Sequence, residues 1–182
     1  TPAYAVEQSR QVASVMADKS RKAMDLAMEL LQGYDEAKAE QVAQMETDVD
    51  RFEDELGTYL VKLSSRQLSG KDSETLNTIL HCIGDFERIS DHARNVKEAA
   101  QEMYDKKLDF SDKAQEELKV FERAVHDILD ITMNSFIKGD LNLARQVEPM
   151  EEVIDGLSLD VKQRHVRRLR KGKCTIELGF IL

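Results

Sequence analysis

Three pairs of acids stand out for their spacing. Glu46 and Asp50, Glu87 and Asp91, and Glu151 and Asp155 each read E-x-x-x-D, the interval that stacks two side chains on one face of a helix. On a helical wheel each pair borders an apolar stripe. The stripes are Val42, Met45, Val49, Phe52 and Leu56, then Leu76, Leu80, Ile83, Phe86 and Ser90, then Val147, Met150, Ile154 and Leu157. Glu53 falls on the same side of its helix as Glu46 and Asp50, Asn95 lies just beyond Asp91, and Asp85 points away from its stripe. Carboxylates at a core edge are costly to bury unpaired, and several that converge raise one another's pKa. One remedy is pairing with Lys or Arg, and Arg94 shares a face with Glu87. The other is a cation. Oxygen-rich sets suit hard or borderline metals, divalent or of the iron/zinc type, and helical bundles build multi-metal sites from inward carboxylates. Spacing alone leaves both open, because E-x-x-x-D recurs by chance in a chain that is 34% charged.

Other chemistry is sparse. His81, His92, His126 and His165 form no H-x-x-x-H and no Cys–His pair at ligand spacing. His126 is read as core or interface, and His92 as a weak metal ligand beside Asp91. Cys82 and Cys174 form no C-x-x-C, which argues against a disulfide scaffold or a zinc ribbon. Both read as small core residues in a reducing compartment. There is no nucleophile elbow, no Gly-rich phosphate loop and no H-E-x-x-H, so the chain is not read as an enzyme. A net charge of −9 disfavours nucleic acid as a partner. The one basic cluster, residues 164–171, reads first as the cationic end of a helix and second as a contact for phosphate or anionic lipid.

These side chains need long helices to hold them. The 182 residues include only 8 Gly, 2 Pro and 5% aromatics, without Trp, which is a long-helix composition and one domain's worth of chain. Apolar periodicity predicts helices over residues 3–32, 35–64, 73–103, 111–137 and 140–170, with a polar loop at 65–72, a turn at 171–173 and a sixth helix starting at Cys174. No segment alternates as a strand does. The fold class expected is all-α, an antiparallel helical bundle. No run of 18 apolar residues is present to span a membrane. The chain begins without Met and ends on an apolar stretch, so a fragment of a longer protein is expected.

The chain also repeats itself. A-x-Q-V-x-x-M-E-x-x-x-D occurs from Ala39 and again from Ala144, an offset of 105 residues that also sets Asp35 on Asp140 and Met28 on Met133. Leu76-Asn77-Thr78-Ile79-Leu80 matches Leu178-Gly179-Phe180-Ile181-Leu182 with a slightly shorter offset. Two copies of a three-helix unit account for this, residues 1–105 and 106–182, with the last helix of the second cut short.

The stretch D-F-E-R-I-S-D-H-A-R-N-V at 85–96 resembles the D-x-E-R-I-x-D-H-A-x-N-I element of PhoU proteins. Thr1-Pro2-Ala3 with Ala5-Val6-Glu7-Gln8, and Gly172-Lys173-Cys174-Thr175, resemble the PhoU-like region that follows the membrane domain of bacterial sodium/phosphate cotransporters. The resemblance implies a two-repeat bundle on the cytoplasmic side of the cell membrane, with its own transmembrane transporter domain upstream as partner and homodimerisation open. It implies an accessory role in sodium-dependent phosphate transport, or alternatively a free-standing PhoU-type regulator of phosphate uptake and signalling. It also implies metal binding through Glu46, Asp50, Glu87, Asp91, Glu151 and Asp155. The second copy lacks a D-x-E-R element, which leaves its set half complete.

Overall fold

The computed structural model describes residues 1–175, 177 and 178. Every regular element among them is helical: α1 (Pro2–Gln32), α2 (Glu36–Ser64), α3 (Gly70–Lys106), α4 (Asp112–Lys138), α5 (Leu141–Ala144) and α6 (Val147–Arg170). The all-α bundle class stands. The sixth helix expected from Cys174 falls largely outside the described residues.

Local chemistry sets the helix ends. The Asp35 carboxylate accepts from Lys38 N–H at 3.1 Å, the Ser111 hydroxyl from Ala114 N–H at 3.3 Å, and the Asp140 carboxylate from Asn142 and Leu143 N–H at 2.9 and 3.2 Å. At the other ends, α4 closes on left-handed Gly139, and α6 is followed by left-handed Gly172. After α3 the same conformation falls on Lys107, at φ 54°.

Three boundaries differ from the sequence reading, one of them the end of α3, which runs on to Lys106 rather than stopping at 103. α3 starts at Gly70, inside the expected loop, because Asp72 N–H donates to the Ser69 hydroxyl at 3.1 Å while that hydroxyl donates to the Asp72 carboxylate at 2.7 Å. The helix expected over 140–170 is broken into α5 and α6. Pro149 has no N–H for the carbonyl of Arg145 and its ring crowds that carbonyl, so a new helix begins at Val147, with Pro149 in its first turn.

The chain divides into two compact units, Thr1–Glu98 and Ala99–Leu182. In the first, α1 packs along α2. The buried stripe of α1 is largely small, with Ser9, Ala13, Ala17, Ser20, Ala23 and Ala27, so its neighbours can approach closely. α2 buries Val42, Val49, Leu56, Leu60 and Leu63, while Met45 and Phe52 are half-buried. α3 buries Leu76, Ile79, Ile83, Phe86, Ser90 and Ala93, so Ile79 rather than Leu80 leads its stripe. Ile83 reaches α2, its Cδ1 lying 3.7 Å from where a Cβ on Gly57 would sit. In the second unit α4 packs against α5 and α6. His126 is exposed on α4 rather than buried in the core, because the turn inward is made by its neighbour Val125, and both cysteines are half-buried free thiols.

Candidate functional site

In the first unit α2 presents Glu46, Asp50 and Glu53, and α3 presents Glu87 and Asp91. The two sets meet. Arg94 Nη1 donates to Glu46 Oε1 at 2.8 Å, and Arg94 Nη2 lies 3.7 Å from Asp91 Oδ1. The guanidinium therefore pairs with Glu46 across the helices and with Asp91 one turn back, not with Glu87 as the wheel suggested. The Glu46 side chain is only 12% exposed, against 43% for Arg94, so the arginine reaches inward from the surface.

Charge crowding shows in the proton affinities. Burial, then the adjacent Asp91, Asp50 and Glu53 carboxylates, push Glu87 from its usual 4.5 up to about 7. Burial also raises Glu46, opposed by Arg94 and reinforced by Asp91 and Asp50. Glu53 is raised by burial, Asp54 and Asp50. Glu53 thus acts with the two E-x-x-x-D pairs. Its position seven residues after Glu46 on α2, two turns along one face, is the signal in the sequence that finds it.

Among the described residues no three His, Cys, Asp or Glu side chains stand in a ready ligand shell. In kind the set fits a hard or borderline cation. It consists of oxygens alone, drawn from neighbouring turns of two helices, and the neutral form of Glu87 is favoured first by burial and then by its neighbours' negative charge. Arg94 supplies part of that missing positive charge. His92 and Asn95 are exposed on α3.

Glu151 and Asp155 are exposed on α6 in the second unit. The polar cluster of that unit is a different one. Glu117 on α4 accepts from Arg168 Nη1 at 2.9 Å and from Arg164 Nη1 at 3.4 Å. The basic stretch at the end of α6 thus includes two cations paired with an acid of the neighbouring helix, beside the favourable C-terminal dipole. His165, one turn from Arg168, is buried. Its Nδ1 lies 3.5 Å from Cys174 Sγ, and its Nε2, like Arg168 Nε and Nη2, has no hydrogen-bond partner.

Comparison with known proteins gives a class first. Residues 13–100, nearly half of the chain and all of the convergent carboxylates, match the family model of the PhoU domain. A particular relative is the phosphate-specific transport system accessory protein PhoU homolog 1 of Thermotoga maritima, 24% identical over 156 residues. The match covers 85% of this chain and 66% of that protein, so the chain spans just under two thirds of the relative's length. That relative is named as an accessory protein, and nothing in it supports the fused sodium/phosphate cotransporter expected from the N-terminal residues. Among the described residues no helix is long and apolar enough to cross a membrane. No solved structure matches.

Proposed function

We propose that this chain is a PhoU-type regulator that acts on a phosphate uptake system from the cytoplasmic side, with a carboxylate-held metal site on the α2–α3 face. The observation that carries this is a coincidence of place. The PhoU match at 13–100 is also where Glu46, Asp50, Glu53, Glu87 and Asp91 meet, and where burial and neighbouring carboxylates raise the proton affinity of Glu46, Glu53 and Glu87. A divalent or iron/zinc-type ion would neutralise that face and tie α2 to α3. Glu87 and Asp91 would hold it from α3, Glu46 and Asp50 from α2, and Arg94 would give way at Glu46. Glu151 and Asp155 would form at most a separate, half-complete set.

The test has two arms. Elemental analysis and metal-dependent thermal shifts of the purified protein are compared with those of Glu87→Ala/Asp91→Ala. Phosphate uptake is compared in cells with and without the gene. Unchanged uptake sinks the regulatory reading, and the absence of metal binding, or binding indifferent to both substitutions, sinks the metal site. The accessory domain of a sodium-dependent phosphate transporter is the second reading, favoured by the T-P-x-x-A-x-E-Q pattern at residues 1–8. Several apolar stretches of about 20 residues upstream of Thr1 in the reading frame would select it.

A further inference from the structure

Cys174 and His165 are too far apart along the chain to read as a pair, but the turn after α6 brings them together. Gly172 is left-handed there, and Lys173 N–H donates back to the Arg168 carbonyl at 2.9 Å. Cys174 Sγ then lies 3.5 Å from His165 Nδ1, with the Thr175 carbonyl at 3.6 Å. His165 is 6% exposed and, among the described residues, its Nε2 has no partner, so the thiol is the polar contact of a buried imidazole. The first copy carries Leu60 at this position, so packing alone does not call for a ring nitrogen that is unfavourable to bury.

The thiol also faces open space. Cys174 is half-buried and lines a pocket of about 400 Å³, with Phe110, Ala114 and Leu178 as apolar lining and Asp109 and Lys173 as charged lining. That volume suits a small molecule. Five of the seven residues just before Cys174 are Arg or Lys, from Arg167 to Lys173. Against them stand Glu117 on α4, which pairs with Arg168, and Asp109 on the pocket wall. The balance favours a ligand that carries carboxylates. Cys82 is the contrast. It is half-buried on α3, where burial and then Asp85 push its thiol up, toward the unreactive protonated form.

We propose that Cys174 is a modification site, a thiol served by His165 as base and thiolated by small disulfides that carry carboxylates. His165 Nδ1 takes the proton from Sγ. The thiolate attacks one sulfur of the disulfide, a bond forms between Sγ and that sulfur, and the original sulfur–sulfur bond breaks. The departing sulfur leaves as a thiolate and takes the proton from His165. The Cys174 sulfur is oxidised and the departing sulfur reduced, so the disulfide is the only oxidant required.

The test treats the whole chain with oxidised glutathione and follows each cysteine by peptide mass spectrometry. At about pH 6.5, where an ordinary thiol is roughly 1% ionised, Cys174 should be thiolated at least about tenfold faster than Cys82. His165→Leu should remove most of that advantage at about pH 6.5, yet react within about twofold of the native protein near pH 9.5, where thiols ionise unaided. A loss of access alone would slow the reaction equally at both. Circular dichroism checks helicity, and should His165→Leu lose it, His165→Gln takes its place. Equal rates at the two cysteines overturn the proposal. So does a His165 variant that matches the native rate at about pH 6.5, or one slowed equally at both pH values.

Discussion

Replacing Glu87 with Gln should stabilise the protein at pH 8 while leaving it nearly unchanged near pH 4. Glu87 titrates near 7 in the folded chain against an ordinary 4.5. Between those values the folded chain keeps a proton that the unfolded chain has released, so stability falls as pH rises through the window and is flat above it. The full shift corresponds to a ceiling of about 3.4 kcal/mol. Water on a half-buried face screens the repulsion, which brings the expected effect to about 2 kcal/mol. For a chain of this length that is about 4–8 °C in melting temperature. Gln keeps the shape and cannot ionise, so its curve should lose most of the slope between pH 5 and 7. Glu46 and Glu53, raised by the same burial and crowding, leave a residual slope of the same sign. The assay is thermal unfolding by circular dichroism from pH 4 to 8, without metal and with chelator. Parallel curves for the two proteins would refute the claim that Glu87 is crowded. With a divalent ion present, the native protein should recover the lost stability at pH 8 and the Gln variant should recover less.

Three further outcomes are expected. Arg94→Met removes the cation that meets Glu46 and Asp91, so the metal-free protein should lose about 1 kcal/mol, and calorimetric titration should show tighter binding of a divalent ion. His165→Leu installs the residue that the first copy carries as Leu60 and removes a buried nitrogen without a partner, so chemical denaturation should show a gain of about 1 kcal/mol. Lys107→Gly relieves a left-handed backbone at the end of α3, and the same measurement should show a gain of about 0.5–1 kcal/mol.

Much of this molecule is legible along the chain, because helix formation is governed by neighbours three and four residues away. Apolar periodicity gave the long helices, and Asp35, Ser111 and Asp140 mark starts because a side-chain oxygen can reach an amide two or three residues on. The repeat tells that Glu46 and Glu151 hold equivalent places. It cannot tell that one is crowded by carboxylates of a second helix while the other is exposed. A wheel drawn for α3 alone sets Arg94 beside Glu87. Its partner across the helices, Glu46, lies 48 residues away in sequence, a distance only packing can close. The same holds for His165 and Arg168. Their positions follow the buried Leu60 and Leu63 of the first copy, so the sequence marks them as inward, but only the tertiary structure shows which of their nitrogens find acceptors. Sequence decided which faces are apolar and where acids border them. Tertiary structure decided which acids meet, because charge acts through space and the chain brings distant residues together only when it folds.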